Sequence, residues 1–188
     1  MKLKKILPFA HSLLREAVAE GDTVIDATVG NGHDTVVLAE LVGDRGHVFG
    51  FDIQEQAIVN TTEKLKQANL LNRVTLIEAS HGDLATHMPN TKQVTAAIFN
   101  LGYLPGGDKS IVTKPNSTIN AIEQLLAFLV PEGIIVLVVY HGHEEGAKER
   151  DALLDFVKDI DQQKASVLCY QFLNQKNNAP FIIAIEKK

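Results

Sequence analysis

Val24-Ile25-Asp26-Ala27-Thr28-Val29-Gly30-Asn31-Gly32-His33-Asp34, followed by Val48-Phe49-Gly50-Phe51-Asp52, sets a glycine turn between a strand and a helix and places an acid at the end of the next strand. The apolar run Thr23 to Ile25 reads as a buried strand and His33 to Val42 as a helix, while Gly30 and Gly32 permit the positive φ and close backbone approach of a tight turn. A ligand there meets the helix N-terminus. Asp52, closing the second strand, can accept hydrogen bonds from both hydroxyls of a ribose. The spacing therefore predicts an adenosyl cofactor.

The residues around the glycines select among such cofactors. A dinucleotide fingerprint needs a third glycine where Thr35 stands, and a pyrophosphate needs uncovered backbone N–H groups rather than the carboxylate of Asp26. That carboxylate repels phosphate and suits a cation. S-adenosylmethionine carries a sulfonium and an ammonium, so an acid near the turn attracts it directly or through water and backbone groups. Asp-x-Thr-x-Gly-x-Gly resembles the first motif of Rossmann-like methyltransferases, with Thr28 in place of their usual first glycine. The competing reading has Asp26 capping the turn and the glycines merely bending it.

Working outward, Leu13, Leu14, Ala17 and Val18 give Pro8 to Glu20 a helical period, and Gly21-Asp22 stops it. Strands are expected near 23–28, 47–52, 73–78, 94–100, 133–140, 165–173 and 180–186, and further helices near 33–42, 54–68, 80–88, 116–129 and 144–161. Strands alternating with helices imply parallel βαβ units with right-handed crossovers. The short connection Asn174 to Ala179, with Asn177-Asn178, forces the last two strands into an antiparallel hairpin. The expected fold is α/β: a doubly wound, seven-stranded, mostly parallel sheet with a C-terminal antiparallel hairpin. Residues 1–188 are expected to form a single domain, with 1–20 as an N-terminal helical extension.

Composition agrees with that reading. The 188 residues suffice for one substantial core, and 45% hydrophobic with 22% charged residues is ordinary for a globular domain. The single cysteine, Cys169, lies in an apolar run and reads as core, in a reducing, cytoplasmic setting. The basic start is broken by Pro8 and His11, unlike a signal peptide, and no segment approaches the ~18 apolar residues that span a bilayer, so no membrane partner is expected. A net charge of −5 argues against broad nucleic-acid affinity but permits local basic patches at Lys2, Lys4, Lys5 and Arg15, at Lys109 and Lys114, and at Lys148 and Arg150.

In an open α/β sheet, ligands bind outside the carboxyl ends of the strands. The third strand ends in Glu78-Ala79-Ser80-His81, where Ser80 reads either as an adenine contact or as a helix N-cap with Asp83 three residues on; the two are compatible. The fourth ends in Asn100-Leu101-Gly102-Tyr103-Leu104-Pro105, which resembles the Asn-Pro-Pro-Tyr loop of methyltransferases that alkylate exocyclic or side-chain nitrogens, in altered order. An Asn carbonyl accepts hydrogen bonds from an amine and aims its lone pair; Tyr103 could stack on a base. The fifth runs into Tyr140-His141-Gly142-His143-Glu144, where His-x-His lacks the third and fourth ligands of tetrahedral zinc, so no metal is expected. Tyr140 and His141 read as a substrate-side wall that positions the acceptor or takes its proton, with helix capping by His143 and Glu144 as the other reading.

The stretches 26–35, 51–54, 100–109 and 138–143 together are similar to a small bacterial family first described as rRNA methylases, whose members are tRNA 5-aminomethyl-2-thiouridine methyltransferases. The likeness spans nearly the whole chain. It implies S-adenosylmethionine held by Asn31, His33, Asp52, Gln54, Ser80 and His81, with Asn100 and the Tyr103 loop facing the nucleoside; from the first motif, Asp26, Thr28, Gly30, Gly32 and Asp34 join the cofactor set, as does Asn100 at the edge of the cofactor cleft. Catalytic roles fall to Asn100, Tyr103, Tyr140 and His141, and the partner implied is a tRNA anticodon loop, with a homodimer compatible. The first motif also resembles, more loosely, 16S rRNA cytosine-N4 methyltransferases, whose large inserted domain this chain has no room for. Alternatives carried forward are an rRNA base N-methyltransferase, a methyltransferase for a small-molecule or protein amine, a non-catalytic cofactor-binding module and a dehydrogenase.

Overall fold

The computed structural model describes residues 2–89, 93–102, 106 and 111–188. Its elements follow the order α1 (Ile6–Ala17), β1 (Thr23–Asp26), α2 (His33–Val42), β2 (His47–Asp52), α3 (Glu55–Gln67), β3 (Val74–Glu78), α4 (Leu84–His87), β4 (Val94–Leu101), α5 (Pro115–Phe128), β5 (Leu129–Val139), α6 (Glu144–Lys158), β6 (Ala165–Tyr170) and β7 (Phe181–Lys187). Among the described residues the strands form one sheet in the order β3-β2-β1-β4-β5-β7-β6. The first five pair in parallel and β7 is antiparallel to both β5 and β6. This is the doubly wound sheet with a C-terminal antiparallel hairpin that the alternation predicts.

Two apolar layers make it stable. Ile25, Ala97, Phe99, Ile135, Leu137, Ile183 and Ile185 face Ala121, Ile122 and Leu125 of α5 and Leu153 and Val157 of α6. The alternate residues Val24, Ile98, Val136, Val138, Ile182 and Ala184 face Ala10 and Leu14 of α1, Leu38 and Ala39 of α2 and Leu65 of α3. Burial on both faces explains why the central strands are continuous apolar runs. It also makes α1 part of one covering layer, since Ala10 and Leu14 are fully buried. The chain crosses from β3 on one flank to β4 on the other side of β1, so strand order reverses between β1 and β4 and opens a crevice at their carboxyl ends.

Three local expectations change. The helix expected over 80–88 is a 3-10 turn at His81–Asp83 followed by the single turn α4. Side chains of α5 take the backbone groups a continuous helix would use: Asn120 and Gln124 donate to the Gly82 carbonyl at 2.9 and 2.5 Å, and Ala85 N–H donates to Gln124 Oε1 at 2.8 Å. Strand β6 stops at Tyr170, three residues short of the expected 173, where the Tyr170 ring stacks on Phe9 at 3.9 Å and its hydroxyl donates to the Lys4 carbonyl. Cys169 is exposed rather than in the core, because β6 is the edge strand and its residues 166–169 are all exposed. At the tip of the hairpin, Asn177 and Asn178 both adopt the left-handed conformation, with φ of 64° and 51°.

Candidate active site

A cavity of about 330 Å³ lies at the carboxyl ends of β1 to β4. Thr28, Gly30, Asp52, Gln54, Ser80, His81 and Asn100 line it together, so seven of the residues singled out in the sequence converge on one space. Asp26, Asn31, Gly32, His33, Asp34, Tyr140 and His141 do not line it. Tyr103 lies outside the described residues.

The turn after β1 is built by backbone geometry. Gly30 and Gly32 have φ of 53° and 73°, and a Cβ on Gly32 would stand 2.6 Å from Thr61 Oγ1. Asp26 sits wholly beneath this turn, accepting hydrogen bonds from Thr35 Oγ1 at 2.6 Å and Thr28 N–H at 3.2 Å. Burial pushes its carboxyl up to about 7, and the nearby charges of Asp34 and Asp52 push in the same direction. The acid on the cavity wall is thus Asp52, with Asp26 holding the turn that precedes it. On the outer side, Lys64 donates to the Asn31 carbonyl at 2.5 Å and reaches exposed His33 at 3.4 Å.

Asp52 accepts the Gly30 N–H at 2.9 Å on Oδ2 and the Gln54 N–H at 3.0 Å on Oδ1. Each carboxylate oxygen has a second lone pair, which suits a diol arriving from the cavity. Ile53, beside it on the wall, is 55% exposed, an apolar surface that a flat ring would cover. Opposite, Ser80 Oγ accepts the Gly82 N–H at 3.1 Å, as an N-cap does. His81 is buried and pairs through Nδ1 with the Ala27 carbonyl at 2.9 Å, pinning the end of β3 to the end of β1. Burial depresses its pKa, so the ring is neutral and Nδ1 donates.

Asn100 closes the site from β4. Its N–H donates to Thr28 Oγ1 at 2.7 Å and its side-chain amide donates to Asp34 Oδ2 at 2.5 Å. The other Asp34 oxygen meets His11 Nε2 of α1, also at 2.5 Å. Tyr140 is held by its N–H on the Leu101 carbonyl at 3.1 Å, and its hydroxyl is raised above its ordinary pKa by burial and then by Asp34. His141 is buried; one ring nitrogen faces the Ala179 carbonyl at 3.0 Å and the other faces Arg150 at 3.2 Å. An arginine only donates, so Nδ1 must accept and Nε2 carry the proton. His143 caps α6, its Nδ1 accepting the Gly146 N–H at 3.0 Å.

Residues 48–186 match the model of the family described as "Putative rRNA methylase". The chain belongs to this family. It is 36% identical over 193 residues to a chloroplastic tRNA (mnm(5)s(2)U34)-methyltransferase of Arabidopsis thaliana, covering 98% of this chain and 70% of that protein. A Clostridium thermocellum structure, described in nearly the same words as the family, superposes with a TM-score of 0.97 at 47% identity over 100% of both chains. A Streptococcus mutans methyltransferase solved in complex with SAH superposes with a TM-score of 0.91 at 42% identity over 99% of both.

This member of the rRNA-methylase family is an S-adenosylmethionine-dependent methyltransferase. The cavity fits that cofactor: a two-oxygen acceptor at Asp52, an apolar face at Ile53, a polar group at Ser80, and bare backbone at Gly30 on the wall. Among the described residues no helix is long and apolar enough to cross a membrane.

Two parts of the site escaped the sequence reading. His11 stands out there only as a break in an apolar stretch, although its helical position beside Ala10 points it along the layer that covers the sheet. Glu149 looks like one more charge on α6, yet it is buried and accepts hydrogen bonds from Thr113 and, at 2.7 Å, from Thr118. Burial raises its pKa. Thr113, on the cavity wall, in turn accepts the Gly102 N–H at 2.9 Å, so Glu149 fixes the chain on both sides of residues 103–112.

Proposed function

We propose that this enzyme methylates the aminomethyl group of wobble 5-aminomethyl-2-thiouridine in tRNA. The observation that carries the reading is Asn100: a carboxamide on the wall of the cofactor cavity, its NH2 end turned to Asp34, which leaves the carbonyl end for an amine. The name of the Arabidopsis thaliana relative supports the same substrate.

Bound S-adenosylmethionine supplies an activated methyl group on a cationic sulfur. Asp52 and the Gly30 turn would hold the ribose, Ile53 and Ser80 would flank the adenine, and the Asn100 carbonyl would hold and orient the acceptor amine beside them. The amine must first shed its ammonium proton, because a protonated nitrogen has no lone pair, and a cationic sulfonium nearby favours that loss. With both nitrogens of His141 engaged, water is the proton's acceptor. An unstacked anticodon-loop base suits an open cleft better than a duplex does.

The test is mass analysis of digested tRNA from cells lacking this enzyme, before and after incubation with the protein and labelled cofactor. One added methyl on the aminomethyl-2-thiouridine nucleoside is the expected result. Label appearing only in rRNA or in small amines overturns the assignment. Asn100→Ala is expected to lower turnover far more than cofactor affinity, and equal losses in both would move Asn100 to cofactor binding.

A further inference from the structure

We propose that His11 and Asp34 are positioning residues for methyl transfer, acting through Asn100 as a three-residue relay that joins α1, α2 and β4. The proposal rests on the reading of Asn100 as the group that meets the acceptor amine.

A carboxamide can turn over, exchanging its carbonyl oxygen for its NH2 group, and the two orientations present opposite hydrogen-bonding characters. Facing an amine with the NH2 end would set donor against donor. Asp34 removes that choice. An ionised carboxylate only accepts, so it binds the NH2 end of Asn100 and repels the carbonyl end. The main chain of Asn100 is already fixed by Thr28 Oγ1, which leaves the side chain as the variable that Asp34 sets.

Asp34 needs an anchor of its own, since a short side chain at the start of α2 can rotate toward water. His11 Nε2 holds the second oxygen at 2.5 Å. The flanking residues Ala10 and Leu14 are fully buried, so α1 presents His11 from a seated element. The side chains of His11 and Asp34 are only 22% and 13% exposed, which limits competition from water. A mere tether between α1 and α2 would not require Asp34 to commit its other oxygen to Asn100.

The test compares full-length wild type with His11→Ala, His11→Gln, Asp34→Ala, Asn100→Ala and the Asp34→Ala/Asn100→Ala pair. Thermal unfolding and cofactor affinity by calorimetry accompany kcat and KM on tRNA from cells lacking the enzyme. Asp34→Ala and Asn100→Ala are each expected to lower kcat by roughly 30-fold or more, with the pair no slower than the worse single variant, as residues acting as one unit behave. His11→Ala is expected to lower kcat by about tenfold, and His11→Gln, whose amide N–H stands near the place of Nε2–H, to restore most of it. Cofactor affinity stays within about threefold throughout. Wild-type kcat in His11→Ala and Asp34→Ala, with only the melting temperature lowered, overturns the proposal, as do losses that multiply in the pair. If the wild type methylates no RNA, the substrate reading fails separately, and the relay is read from the Asn100 side-chain amide by 15N NMR. A shift to the position of a solvated amide in both His11→Ala and Asp34→Ala supports it; an unmoved resonance sinks it.

Discussion

The Gly30 N–H donates to Asp52 Oδ2 at 2.9 Å, tying the turn after β1 to the end of β2 across 22 residues of sequence. Asp52 is therefore a strut of the cavity and, in the proposed reading, also the acceptor for the ribose hydroxyls. Asp52→Ala removes two backbone partners and both acceptors at once. Its affinity for S-adenosylmethionine is expected to fall by roughly 100-fold, the scale of one or two hydrogen bonds to a charged group. Calorimetry checks this; unchanged affinity would remove Asp52 from the cofactor site.

Gly32 is fixed by shape as well as by φ. With φ at 73° and Thr61 Oγ1 2.6 Å from any added Cβ, Gly32→Ala meets strain and a clash together. The expected loss is about 1–3 kcal/mol, measured by urea unfolding. Thr61→Ala removes the two nearest atoms but keeps a Cβ 3.0 Å away and loses the bond to the Gly30 carbonyl, so the double variant is expected to recover only part of the clash component and to retain the backbone component.

Asp26 makes stability depend on pH in a particular direction. An acid whose pKa is raised from 3.8 to about 7 in the folded state keeps a proton there that the unfolded chain gives up. Its contribution is complete below about pH 4 and is lost as pH rises through 7, on the order of 4 kcal/mol as an upper bound. Asp26→Asn cannot titrate. Its stability relative to wild type is expected to climb between pH 4 and 7 and level off above; a constant difference across that range would show that Asp26 ionises normally.

Why some of this was legible in the sequence and some was not follows from where each constraint lives. The turn at Gly30, the acid at Asp52 and the runs that become β4 and β5 are local, and a strand buried on both faces can only be apolar. Edge position is not local: Val167-Leu168-Cys169 reads like a core strand, and only the order β5-β7-β6 leaves it uncovered. The same holds for polar partners. His11 meets Asp34 over 23 residues and Glu149 meets Thr118 over 31, separations at which no periodicity speaks. His141 sits at a strand end as expected, but its nitrogens are claimed by Ala179 and Arg150, which the packing of β7 and α6 brings there.

If the proposed tRNA substrate is right, charge at the mouth of the cavity sets how strongly it docks. Lys114 is exposed on the cavity wall at the N-terminal boundary of α5. β6 runs parallel to β5, since β7 is antiparallel to both, so Tyr170 and the Lys4 backbone it holds lie on the same sheet edge as the cavity. That edge therefore carries lysines at two places along its length, despite the net charge of −5. Lys114→Glu is expected to raise the KM for tRNA by roughly tenfold at low salt, with the difference shrinking as salt rises and the salt slope falling by about one for each phosphate that is no longer neutralised. Cofactor affinity is expected to hold, because Asp52 and the Gly30 turn are untouched. Unchanged KM at low salt, for Lys114→Glu and for charge reversal at Lys4 and Lys5 alike, would put the RNA on another face.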